Sequence, residues 1–185
     1  LAGEEAVDGL IATLEGSPTR RLATAAVLAL AEAGSAKALP TVVKASRRGS
    51  VPLEAGLAAV GALGDRRALT FVLEQLDNPD PRVRATVVKV AGKLLRPADR
   101  DGRAVDVVAP RVRDLTTPVV ERIALVRLLG RTGSPRASAL LLELAGHDDP
   151  ALELAVVEAL GTLRVEGPEV DAVLLAALDD EDVAL

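Results

Sequence analysis

The sequence predicts an all-α fold, an α-α superhelix of stacked helical hairpins, and three observations carry that expectation. Prolines recur along the chain at near-constant intervals. The segments between them have helical hydrophobic period. Large aromatic rings are almost missing: of 185 residues 49% are hydrophobic, yet there is one Phe and no Tyr or Trp. A single compact core of this size normally uses several rings. Ala, Leu and Val suit thin layers of closely packed helices.

The repeat is read from Pro18, Pro52, Pro81, Pro118 and Pro150, which are 34, 29, 37 and 32 residues apart. Each follows a short polar turn (GSP, GSVP, DNPDP, LTTP, HDDP) and precedes an apolar-periodic segment. That places proline in a first helical turn, where its missing N–H costs nothing. A small residue recurs toward the end of each following segment, at Ala31, Gly61, Gly92, Gly130 and Gly161. In the third repeat Val83, Val87, Val90, Ala91 and Leu94 share one helical face, and Arg82, Thr86, Lys89, Lys93 and Arg96 the other. The segments before each proline, such as AVDGLIATL and RALTFVLEQL, are helical as well.

Two helices in roughly 30 residues cannot bury both faces alone, so stacked units share a continuous core. The hairpins are expected at about 4–34, 36–64, 66–95, 103–133 and 135–163, with a partial sixth over 168–185, in one repeat domain spanning 1–185. LDDEDVAL aligns with LDNPDPRV of the third repeat and puts Val183 in the proline position, so the chain reads as part of a longer protein. RPADRDG, residues 96–102, reads as a loop insertion.

The unit LDNPDPRVRATVVKVAGKL resembles the HEAT repeat, particularly the short variety also found in phycobilisome lyases. The shared points are the acidic turn, the proline, a basic residue three positions later and small-residue ends such as GALG and GRTG. Pro40 and Pro110 resemble the proline that bends a first HEAT helix. The resemblance implies a right-handed superhelix whose second helices line a concave face. It also implies an Asp–Arg ladder, which Asp80 with Arg84 fits and which Ser17, Ala55, Glu121 and Glu153 interrupt.

The residues give no support to a catalytic site. The chain has no Cys and a single His, which removes thiol chemistry and multi-histidine metal sites. His147-Asp148-Asp149 reads as a polar turn with Asp149 at a helix N-terminus. Asp179 to Asp182 lack the ligand spacing and central glycine of a calcium loop. GALGD and GRTGS end helices, whereas phosphate loops join a strand to a helix. No cofactor, metal or catalytic residue is therefore expected, and the chain reads as a non-enzyme. No apolar run nears the roughly 20 residues of a membrane span, which leads to a cytoplasmic expectation.

Charge is segregated along the chain. Residues 82–136 carry 13 Lys or Arg and 5 Asp or Glu, while residues 137–185 carry 1 Arg and 12 acids. Aligning Gly92 with Gly130 matches Arg84 with Arg122, Lys89 with Arg127 and Lys93 with Arg131. These six are the expected partner-binding residues, a basic patch on two adjacent second helices. The equivalents are Leu53, Ala58 and Ala62 in the second repeat, and Glu153, Glu158 and Thr162 in the fifth. The expected function is a protein-binding scaffold whose partner presents an acidic segment. Nucleic-acid binding through phosphates is the lesser reading, since the rings that stack bases are missing. A bilin-lyase-type enzyme subunit is the third, implied by the resemblance alone.

Overall fold

The computed structural model describes residues 2–146 and 149–179. The expectations that rest on His147, Asp148 and residues 180–185, including the Asp180–Asp182 run and the Val183 register, lie outside the described residues. Among those described there are eleven α-helices and three 3-10 turns, with no strand. The fold class is the all-α helical-hairpin solenoid that the repeat predicts. The chain divides into two compact units, Leu1–Leu94 and Leu95–Leu185.

The first unit holds α1 (Ala2–Glu15), α2 (Arg20–Ala33), α3 (Leu39–Arg47), α4 (Leu53–Leu63), α5 (Leu69–Leu73) and α6 (Pro81–Leu94). Consecutive helices pair as α1–α2, α3–α4 and α5–α6, and the second helices pack in series, α2 on α4 and α4 on α6. Val27, Leu30, Val42, Leu57, Val60, Leu69, Val72 and Val87 are fully buried within these three hairpins. Burying each such side chain contributes about 1.5–3 kcal/mol. Phe71 is buried too, and the Arg47 guanidinium lies 5.7 Å from its ring centre while bonding both oxygens of Glu74 at 2.8 Å.

The second unit holds α7 (Arg103–Arg113), α8 (Val119–Gly130), α9 (Pro135–Leu144), α10 (Pro150–Leu163) and α11 (Pro168–Asp179). Here α8 packs on α10, and α9 packs against both α7 and α11. Leu125, Leu129, Leu141, Leu152, Val156 and Leu160 form the core. Five of the six buried polar residues among those described (Asp101, Arg122, Thr132, Ser134, Ser138) belong to this unit.

The recurrent prolines do not share one helical position. Pro81 and Pro150 are the first residues of α6 and α10, Pro52 and Pro118 are the N-caps of α4 and α8, and Pro18 precedes the Thr19 N-cap of α2. All three positions tolerate proline because no intrahelical acceptor awaits their N–H. Where proline has moved inward an Asp caps instead: Asp149 accepts from the Ala151 and Leu152 N–H groups, both at 3.0 Å. Pro40 opens α3 after the 3-10 turn Ala36–Ala38 and does not bend a helix interior; Pro110 does lie inside α7.

Glycines set the approach of neighbouring second helices. A Cβ at Gly61 would stand 3.1 Å from Val90 Cγ2, and one at Gly130 would stand 2.8 Å from both Cα and O of Ala159. Gly61 and Gly130 therefore occupy the same place in their hairpins, facing the same position of the next second helix.

Candidate interaction face

That correspondence fixes the register of the second helices. Three residues before Gly61 and Gly130 stand Ala58 and Arg127, and one residue before Val90 and Ala159 stand Lys89 and Glu158. The ninth residue of α2, α6, α8 and α10 gives a matching set, namely Leu28, Lys89, Arg127 and Glu158. All of these, with Ala58, are exposed, as are Glu32, Ala62, Lys93, Arg131 and Thr162 four residues further on. Two rows thus mark the open face of the second helices in each unit. In the first unit the rows read Leu28–Ala58–Lys89 and Glu32–Ala62–Lys93. In the second they read Arg127–Glu158 and Arg131–Thr162.

The six expected binding residues divide between the units, with Arg84, Lys89 and Lys93 on α6 and Arg122, Arg127 and Arg131 on α8 and its C-cap. They also divide by role. Arg84 is half-buried, and its Nη1 donates to the carbonyls of Asn78 at 3.0 Å and Pro79 at 3.1 Å. Arg122 is only 5% exposed, and its Nε donates to the Val112 carbonyl at 3.0 Å. Both arginines reach back to carbonyls that precede their own helix, and Val112 lies in the last turn of α7, where carbonyls lack intrahelical donors. Arg122 is therefore no part of an open surface. Its aliphatic stem and guanidinium are used inside the hairpin.

Arg127 is exposed, and its Nε bonds Glu158 Oε2 at 2.9 Å. Arg131 is the exposed C-cap of α8. Lys89 and Lys93, one helical turn apart, are exposed and have no ion-pair partner among the described residues. Between them and Leu28, which is 46% exposed, lie Ala58 and Ala62 of α4. The first unit therefore presents a low apolar strip bordered by two lysine ammonium groups.

Part of the charge segregation is used internally. The long-range ion pairs join neighbouring hairpins: Asp8–Lys37 and Arg47–Glu74 in the first unit, and Asp106–Arg136, Arg113–Glu143 and Arg127–Glu158 in the second. The hydrogen bond from Arg136 holds the Asp106 carboxyl below the ordinary carboxylate range. The basic fourth repeat is thus paired in part with the acidic fifth. In the sequence Glu158 stands as the acidic fifth-repeat equivalent of Lys89 and Arg127. The spacing of one repeat between Arg127 and Glu158 was the available signal that the two neutralise each other.

Stacked two-helix units with serially packed second helices define a helical-repeat protein. The family model for HEAT repeats matches residues 117–185, and the first unit is built of helical hairpins of the same two-helix kind. No curated protein matches it. Among solved structures, human deoxyhypusine hydroxylase in complex with glycerol is similar at 18% identity and a TM-score of 0.39, over 97% of this chain and 92% of that one. That enzyme's activity is a property of that enzyme. In this chain, the described residues contain no group of three or more His, Cys, Asp or Glu placed to hold a metal ion, and no helix among them is long and apolar enough to cross a membrane.

Proposed function

We propose that the chain is a non-catalytic protein-interaction module and that the open face of α2, α4 and α6 takes an acidic, amphipathic protein segment. The observation that supports this reading is the pair of rows Leu28–Ala58–Lys89 and Glu32–Ala62–Lys93. Alanines at the middle helix let a partner backbone or helix come close. Leu28 offers apolar area at one border. Lys89 and Lys93 offer two positive charges at the other, where acidic side chains of the partner would meet them. Each exposed pair is worth only about 0–1 kcal/mol, so the apolar strip supplies affinity and the lysines supply orientation.

The test uses the full chain and a synthetic helical peptide with a Leu/Ala ridge and glutamates along one edge, followed by fluorescence anisotropy. Binding is expected to weaken with added salt, with glutamine in place of the peptide glutamates, and with the double variant Lys89→Glu/Lys93→Glu. Equal affinity for the glutamine peptide, or an unchanged constant in the double variant, refutes the assignment of this face. Tighter binding of duplex DNA than of the peptide, lost in the same variant, favours the phosphate-binding alternative.

A further inference from the structure

The insertion at residues 96–102 builds a pocket within the second unit. The loop forms a 3-10 turn, Pro97–Asp99, and is clamped onto the turn between α8 and α9. The Asp101 N–H donates to the Thr132 carbonyl at 2.8 Å, and the Asp101 carboxylate, almost buried, accepts from the Arg103 guanidinium at 2.6 Å. Gly133 lies directly beneath the loop. It has φ +61°, and any Cβ there would collide with the Pro97 carbonyl. Only glycine permits this approach, so the loop is held by the fold.

Across from the loop stands the C-terminal turn of α10. Together they border an open depression of about 460 Å³, lined by Arg96, Pro97 and Ala98 on one side and Glu158, Gly161, Thr162 and Arg164 on the other. The Glu158 carboxylate is engaged by Arg127, and the Thr162 hydroxyl donates to the Glu158 carbonyl at 2.8 Å. Arg96 and Arg164 are both exposed, and neither guanidinium has a hydrogen-bond or ion-pair partner among the described residues. Two like charges therefore line one depression.

Arg164 is also conformationally costly. It ends α10 at φ 56°, ψ 36°, in the left-handed region where α2 and α4 end in Gly34 at φ 64° and Gly64 at φ 65°. A side chain there is strained relative to glycine. Strain borne by a residue that lines a depression beside an unpaired like charge is the pattern expected of a ligand site.

We propose that Arg96 and Arg164 form an oxyanion-binding pocket that takes a phosphate group, with the two guanidinium forks bonding its oxygens from opposite walls. Guanidinium geometry suits such bidentate contacts. The phosphate comes from one of two sources, free in solution or carried on a side chain of a partner protein.

The experiment titrates the isotope-labelled full chain with inorganic phosphate at constant ionic strength and follows the arginine Nε–Hε resonances. Saturable shifts are expected at Arg96 and Arg164, and chloride should produce none. Arg96→Gln and Arg164→Gly should each weaken binding about tenfold, the loss expected for a charge-assisted hydrogen bond. Arg164→Gly installs the residue that α2 and α4 use at this conformation, so its melting temperature should not fall; loss of binding in it cannot be loss of fold. A phosphoserine peptide run against its unphosphorylated form separates the sources, since binding of the peptide more tightly than free phosphate assigns the partner-borne group and the reverse assigns the free ion. Uniform shifts of many arginines, no saturation with either probe, or wild-type affinity in both variants would overturn the proposal.

Discussion

Lys89 in the first unit and Glu158 in the second stand at one place in the repeat, yet their neighbours on the preceding second helix are Ala58 and Arg127. In the second unit the neighbour is a charge of opposite sign, and a 2.9 Å ion pair spans α8 and α10. In the first unit the neighbour is a methyl group, and the ammonium is left to solvent. The helix packing is the same, since Gly61 and Gly130 serve the same approach. What a charged residue does on this face is therefore decided by the residue one repeat earlier. A basic residue facing an acid one repeat away is internal glue, and one facing alanine is available surface.

The largest expected effect lies at a pair of equivalent arginines that the two units bury to different depths. Arg122 is enclosed and bonded to Val112, while Arg84 is half-exposed and bonded to turn carbonyls. Arg122→Ala removes the packing of a long side chain and strips a buried carbonyl of a donor, so a loss of about 3 kcal/mol is expected in urea unfolding. Arg84→Ala leaves carbonyls that water can reach, and about 1 kcal/mol is expected. Equal losses would mean that the two arginines serve the same structural role after all.

The second test concerns the glycines. At Gly130 a methyl group meets backbone atoms of Ala159 that cannot rotate aside, and Gly130→Ala should cost about 2 kcal/mol through forced separation of α8 and α10. At Gly61 the methyl meets the end of the Val90 side chain, and the gain of about 0.5–1 kcal/mol in helix propensity offsets most of the crowding. Gly61→Ala should therefore unfold close to wild type. Hydrogen exchange in α8 and α10 against α4 and α6 locates each effect.

The hairpins were legible in the sequence because repetition averages out local error. Five proline-marked turns and a helical period outweigh any one boundary, and α2, α4, α6, α8 and α10 all follow a marked turn. The detailed register was less legible, since proline tolerates three adjacent positions at a helix start and gives no single zero. Gly61 and Gly130 give a firmer zero, because each meets the next second helix so closely that only a small residue fits there. The candidate site was legible in part. Lys89 and Lys93 sit on the open face as their spacing predicts, whereas the burial of Arg122 was hidden by its residue type. Arginine is read as surface from sequence, yet its stem packs as well as an aliphatic chain when a carbonyl stands at the far end. The anchoring of residues 96–102 was hidden as well, since it depends on Gly133 and Thr132, some thirty residues away in the chain.

The smallest expected energies decide the functional reading, and they come from exchanging the two neighbours. A double-mutant cycle on Arg127 and Glu158 should return a coupling of about 0.2–1 kcal/mol, as exposed ion pairs do. Ala58→Glu supplies Lys89 with a neighbour of opposite charge, as Arg127 is to Glu158. It should recover a coupling of the same size and sign with Lys89, measurable against Ala58→Glu/Lys89→Gln. It should also lower the affinity for the acidic amphipathic peptide, for two separable reasons. The new carboxylate occupies the ammonium, and it places charge in the middle of the apolar strip. Ala58→Gln separates them, because it keeps the bulk and polarity without occupying Lys89. If glutamine weakens the peptide as much as glutamate does, the strip carries recognition and the lysines contribute little. If only glutamate does so, Lys89 is the residue that reads the partner's charge. An affinity unmoved by either substitution would show that α4 is not the middle of the binding face, and would leave the first unit's unpaired lysines as an ordinary solvated surface.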